Sequence, residues 1–363
     1  MDLPEDYEYS GGDRKDRFSF ESGDGAKLDL IVYHADPGKA APYANVEALA
    51  RDVQRRLNNS GDTDSFEYSH KEAYILELSF SIPGAGSRTS PQSGWALCME
   101  LEMPASAASR AGTVSPPLLF AMAYGPEGRQ DLMPLHFSVL DSIAPEETAR
   151  WIPGPITEYS YPRETPTEAP VFGLGISALI YEEDAEAAQA LIDREFQVLR
   201  RYADSPAWKE AWTRFYRIIY RDSFERLSDV AFQVERKLNV PSREERDFAD
   251  QALQWVQSFS YERDFLGSDF VNAVSAATEG RGDCDSRAML WAVIMRHANI
   301  ASAIMVSRNY SHAMGLADLP GPGAHFTIEK KNYLVAETTA RVSIGLIGET
   351  VSDISEWLGI DFE

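Results

Sequence analysis

The sequence predicts an α+β protein built from two folded parts. Three observations carry that expectation. Between residues 15 and 148 short runs of alternating apolar and polar residues predominate, with one helical stretch early and one late. Between Ala144 and Phe172 prolines crowd together, at Pro145, Pro153, Pro155, Pro162, Pro166 and Pro170. Beyond residue 173 helical patterns take over, until a Gly-rich turn opens a last helix followed by further strands.

The first part begins with residues before Phe18 that are polar, acidic and Gly-bearing, and are expected to form a loose tail. Arg17–Ser22 and Lys27–His34 read as two strands turning at Asp24-Gly25. Asn45 is a natural helix cap, because Val46, Leu49, Ala50, Val53 and Leu57 then fall on one face and Gly61 follows. Phe66–Ile82 is β-rich, with Tyr74, Leu76, Leu78, Phe80 and Ile82 on one side of a strand. Trp95–Met103 and Leu118–Tyr124 are two more strands, and Leu132–Ile143 closes the domain as an amphipathic helix. The resulting antiparallel sheet with helices resembles PsbP-like domains in its order of elements, and it holds no catalytic constellation. His34, His70 and His136 are scattered and read as surface or packing residues.

Residues 149–172 are expected to form an extended proline-rich linker or strap, and 173–363 a helical segment plus a second domain. Gly173–Tyr181 fits strand and helix equally. Glu182–Ala203 is helical, and Ser205-Pro206 opens a long helical pattern from Trp208 to Leu238. Its Trp212, Phe215, Tyr216 and Ile219 stripe reads as core. Ser242 and Glu245 form a capping box for a helix through Gln257. Ser258–Phe270 is irregular, and Ala273–Ala277 is a helical turn before the Gly282 bend.

Composition narrows the function classes. The chain has 363 residues, 34 Lys+Arg against 57 Asp+Glu, and a net charge of −23. Such an acidic surface argues against nucleic acid or anionic membrane as a partner. No apolar run is long enough to span a membrane. The acidic start, Met1–Asp6, is not a signal peptide. The sequence as it stands therefore predicts a cytoplasmic protein, and a periplasmic or exported one if a leader has been removed. With two cysteines, Cys98 and Cys284, there is no disulfide framework. Cys98 sits in a strand-like run and reads as structural. No metal is indicated, since the chain lacks HExxH, an EF-hand loop and a Cys cluster, and no cofactor is expected.

The chemistry concentrates near the C-terminus. In Gly280-Arg281-Gly282-Asp283-Cys284-Asp285-Ser286-Arg287 a glycine turn runs into a helix, with Ala288, Trp291 and Met295 sharing the face of Cys284. A thiol in a first helical turn is favoured as thiolate by free N–H groups and the dipole. Asp283 and Asp285 oppose that. The helix gives way to the strand Ser302–Ser307, then Tyr310-Ser311-His312-Ala313-Met314, and later Tyr333–Ala336 ending in Glu337-Thr338-Thr339. Nucleophile, base and orienting carboxylate thus occur in chain order. Two bases remain open. A hairpin turning at Lys330-Lys331 sets His325 nearly opposite Ala336 and Glu337, whereas the strand alternation puts His312 on the face of Met314 and Leu316. Tyr261, within Ser260-Tyr261-Glu262-Arg263, is a candidate side-chain donor to an oxyanion. His297, late in the helix, reads as a helix-end residue.

Gly282-Asp283-Cys284-Asp285, Ser311-His312-Ala313-Met314 and Glu337-Thr338-Thr339 resemble the transglutaminase-like superfamily of cysteine enzymes over the last third of the chain. Most members carry Asp, often with Pro-Thr, where this chain has Glu337. The resemblance implies a papain-like fold, a Cys284-His312-Glu337 triad with His312 as base, and a thioester intermediate formed from a peptide or glutamine amide. Leu319–Gly323 would be an insertion lengthening the His–Glu separation. Bacterial members are more often hydrolytic, which favours a peptidase; an amine acceptor would make a crosslinking transglutaminase. The alternative is a non-catalytic binding or scaffold protein on the same fold, with the N-terminal domain as the module that binds another protein.

Overall fold

The computed structural model describes residues 1–35, 41–83, 89–103, 115–238, 244–263 and 268–362. The chain is α+β and divides into two compact units, Met1–Ser160 and Tyr161–Glu363.

The first unit is a seven-stranded antiparallel sheet. In chain order its strands are β1 (Glu8–Gly12), β2 (Arg17–Glu21), β3 (Lys27–Tyr33), β4 (Thr63–Tyr68), β5 (Lys71–Pro83), β6 (Thr89–Glu100) and β7 (Leu118–Pro126). They lie side by side as β1-β2-β3-β7-β6-β5-β4. The central strands bury both faces, as period-two geometry allows. Ile75, Leu97 and Ala121 face one core; Leu76, Cys98 and Phe120 face the other. Helix α1 (Val46–Leu57) covers the second core, and Asn45 caps it by accepting from the Ala48 amide at 2.9 Å. Asn58 in a left-handed conformation ends it, so the stop comes before Gly61. Helix α2 (Met133–Asp141) lies over the first core. The expected N-terminal tail is ordered instead. β1 pairs with β2, and Leu3 and Tyr7 pack on the first core.

The proline-rich stretch 149–172 is likewise not an extended linker. Pro155–Ser160 forms a short helix, α3, in the first unit. Buried Asp141 accepts from the Ile156 and Thr157 amides, each at 2.9 Å, and from the Thr157 hydroxyl. Proline in the first turn is compatible with that cap because it lacks only an N–H with no helical partner. Thr167–Val171 is strand β8 of the second unit and pairs with β9 (Ile176–Ile180), which settles the ambiguous 173–181 stretch as a strand.

The second unit continues with α4 (Asp184–Arg201), α5 (Trp208–Arg226), α6 (Ser228–Leu238), α7 (Glu245–Gln257), α8 (Ala273–Glu279) and α9 (Cys284–His297). The long helix expected over 208–238 breaks at Leu227. Ser242, the expected cap of α7, lies outside the described residues. A five-stranded antiparallel sheet follows from β10 (Ser302–Ser307), β11 (His312–Ala317), β12 (His325–Ile328), β13 (Lys331–Ala336) and β14 (Leu358–Asp361), ordered β12-β13-β11-β10-β14. Helix α9 is central: from Ala288 to Met295 every side chain is buried, on all faces. Trp291 packs against Gly315 of β11, and its indole donates to the Ala249 carbonyl of α7 at 3.2 Å. No helix among the described residues is long and apolar enough to cross a membrane.

Candidate active site

The turn before α9 explains why its sequence is Gly-Arg-Gly-Asp. Gly280 ends α8 at φ +66°, where a side chain would run into the Phe172 ring. Gly282, at φ +151°, is crowded by Ser286. The Ser260 amide donates to the Gly280 carbonyl, and the Gly282 amide donates to Ser260, at 2.8 and 3.1 Å. Asp283 then caps α9. Its Oδ1 accepts from the Ser286 amide and hydroxyl at 2.9 and 2.6 Å. The Ser286 hydroxyl in turn accepts from the Val271 amide. Cys284 is therefore held at the first helical position, 1% exposed.

The thiol has two polar neighbours. It donates to Asp285 Oδ2 at 3.4 Å, and the Ala313 amide donates to it. Ala313 directly follows His312, so the start of β11 meets the start of α9. Burial pushes the thiol pKa up, the charges of Asp285 and Asp283 push it further, and only the Ala313 amide pulls the other way. These surroundings favour the thiol, against the helix-start effect that favours thiolate. Asp285 is also held by the Tyr216 hydroxyl, which donates to its Oδ1. Asp283 Oδ2 is buried without a donor and faces Asp285. Burial and the Asp285 charge raise Asp283 to about 7, against the two bonds from Ser286.

His312 opens β11 and Glu337 directly follows β13. His312 Nε2 lies 2.8 Å from Glu337 Oε2, with the two side chains 15% and 6% exposed. Glu337 Oε1 accepts from the Thr339 amide and hydroxyl at 2.8 and 2.6 Å. Burial works to raise its pKa, but the His312 hydrogen bond and charge and the two Thr339 bonds lower it overall. The carboxylate form is thus the one this setting favours. Trp357 lies edge-on to the imidazole, ring centres 6.0 Å apart.

His325 is elsewhere. The hairpin turns at Glu329-Lys330, one residue earlier than Lys330-Lys331, which places His325 opposite Leu334 rather than Ala336. Its Nδ1 lies 2.9 Å from the Gly323 carbonyl. Tyr261 is 51% exposed, with the Arg287 guanidinium 5.5 Å from its ring centre, and its hydroxyl has no hydrogen-bond partner among the described residues. Burial and the nearby Cys284 push it up to about 12. Cys98 is fully buried in β6, and burial raises its pKa. His297 stacks on Phe224.

Sequence reading missed four contributors. Tyr216 was expected only as core, and nothing local marks it as a partner of Asp285. The Ala313 amide and the Thr339 donors are set by tertiary position. Arg287, 2% exposed and donating to the Gly282 and Phe259 carbonyls, was legible as a cation one turn from the cysteine. The only group of three or more metal-type side chains found among the described residues is Asp283, Cys284 and Asp285, and helix capping and the thiol account for its placement.

No family model matches the chain, and no curated protein does. A solved structure from Bacteroides thetaiotaomicron VPI-5482, at 1.50 Å resolution, is similar to it at 12% identity, covering 61% of this chain and 72% of that one with a TM-score of 0.25. A likeness that slight carries no argument about function.

Proposed function

We propose that the chain is a cysteine-dependent acyl-transfer enzyme of the transglutaminase-like kind, acting on a peptide or glutamine amide, with water as the acceptor. The observation that carries this is the His312–Glu337 hydrogen bond together with a buried thiol that accepts from the amide of Ala313, the residue after His312. With Nε2 committed to Glu337, Nδ1 is the ring nitrogen left to take the proton of Cys284. The sulfur then attacks the amide carbonyl. The imidazolium returns the proton to the leaving nitrogen, the C–N bond breaks, and a thioester remains. Water activated by the same imidazole releases the acid and restores the thiol. Because burial and the neighbouring carboxylates favour the thiol, His312 acts as a general base at the attack step rather than as half of a preformed ion pair. Glu337 stabilises the imidazolium. The Tyr261 hydroxyl and backbone amides at the start of α9 are the candidate donors to the oxyanion.

A second reading has its own support. Cys284 is 1% exposed and bonded to Asp285, as a structural cysteine in a binding protein would be. Mass spectrometry of the protein incubated with a glutamine- and amide-bearing peptide library separates the two. Acyl transfer requires a thioester adduct on Cys284 that is absent in Cys284→Ala. No adduct, together with no peptide turnover, would leave the binding-protein reading standing.

A further inference from the structure

Beside His312 lies a cleft of about 320 Å³. One wall is unusual for a helical surface. Phe196 and Leu199 of α4 and Trp212 of α5 are only half-buried, and they turn into the cleft together with the buried rings of Phe215 and Phe270. Half-exposed apolar side chains converging in a concavity beside candidate chemistry mark a ligand contact better than a core. The lining also has polar members, Ser311, His312 and Asp285, the last held by Tyr216 of α5. A side chain seated in the cleft therefore lies within reach of His312.

We propose, on the acyl-transfer reading above, that this cleft selects a large apolar or aromatic side chain close to the attacked amide. Size and charge both favour that occupant. The volume sits at the low end of ligand pockets and suits a single large side chain. The cleft's two cations are engaged by groups of the protein: Arg263 pairs with Asp269 at 3.1 Å, and Arg308 donates to the Ala203 carbonyl and approaches Asp204. Asp283 and Asp285 line the cleft without a salt bridge to either arginine. An acidic side chain would meet the Asp285 carboxylate, whereas a neutral ring meets the rings of Phe196, Trp212 and Phe215.

The test uses full-length Cys284→Ala protein, which cannot turn over, and capped peptides acetyl-Gly-X-Gly-amide with X as Phe, Leu, Ala, Asp or Lys. Affinity is read by calorimetry. Phe and Leu should bind about 10–100-fold tighter than Ala or Asp, the range expected for burying one large apolar side chain. Adding Leu199→Arg, a half-buried position outside the core, should erase that preference while leaving the circular dichroism and thermal midpoint unchanged. Equal affinities, a preference for Asp or Lys, or no binding at millimolar peptide would overturn the proposal. Failure of the enzyme reading is distinguishable. Selective binding without turnover by the wild type sinks acyl transfer and spares the cleft, whereas turnover indifferent to X does the reverse.

Discussion

His312 and Glu337 stand 25 residues apart in the chain, yet their side chains meet at 2.8 Å. Two features of the second unit bring this about. β11 and β13 are neighbours in the sheet with Gly315 opposite Ala336, so the strand that His312 opens runs alongside the strand that Glu337 follows. The segment between them, Leu319–Gly323, is set off to the side by Arg246, which donates to the Pro320 and Pro322 carbonyls. The long separation is therefore absorbed without disturbing the pair.

The first prediction ranks substitutions on this pair. Cys284→Ala should abolish acyl transfer. His312→Ala should lower kcat/KM by roughly 10²–10⁴-fold or more, the scale of a general base. Glu337→Gln should cost less, because an amide still accepts from the ring but does not balance its charge. His325→Ala should retain most activity, since its ring hydrogen-bonds the Gly323 carbonyl and not Glu337. A severe loss in His325→Ala with a mild one in His312→Ala would reverse the assignment.

Thiol labelling probes the resting protonation state. Iodoacetamide should modify Cys284 before Cys98, which is 0% exposed in the sheet core. The rate should keep climbing with pH past the ordinary thiol range of about 8–9, because burial and the two carboxylates hold the proton on. Asp285→Asn removes one of those charges and should speed labelling near neutral pH. Slower or unchanged labelling in that variant would show that access rather than charge limits the thiol.

Much of this was legible in the sequence where the signal is local. Asn45 caps its helix through its side chain, and the turn before Cys284 needs its glycines for backbone reasons that any reading can find. The strand expected over Ser302–Ser307 is β10, and His312 opens β11. What was not legible depends on partners distant in sequence. Residues 149–172 looked like a strap because proline dominates local propensity, but Asp141 and strand β9 supply the hydrogen bonds that order two pieces of the stretch. The C-terminal strand β14 is four residues long and exists because β10 offers it an edge. The hairpin arithmetic for His325 failed by one residue at the turn, and such a slip shifts the facing partner by two.

Packing of α9 on the sheet sets where Cys284 lies relative to His312, and Gly315 is a close point of that packing. A Cβ there would come within 2.5 Å of Trp291, a fully buried ring with no room to move. Gly315→Ala should destabilise by about 1–3 kcal/mol, as overpacked cores do. It should also lower activity at temperatures where the protein is still folded. A variant with wild-type stability would mean that the ring can shift and that this contact does not fix the spacing.

Asp283 gives a pH-dependent test of the same corner. Its folded pKa is about 7 against 3.8 for the unconstrained group. Below about 4 both states hold the proton, and the residue contributes no pH dependence. Between about 4 and 7 the unfolded chain has released its proton while the folded chain retains it, so the folded state binds more protons and stability falls as pH rises. Above 7 both are ionised and the loss is complete. The ionisable neighbours of Asp283 are Asp285, Cys284, Tyr216 and Arg287. Asp283→Asn retains an oxygen for the Ser286 amide and hydroxyl but cannot ionise. Denaturant melts of wild type and Asp283→Asn should therefore diverge with pH, the variant gaining relative to wild type from pH 4 to pH 8 and levelling off beyond. Parallel stability curves would show that Asp283 is already ionised throughout that window and that no proton is shared with Asp285.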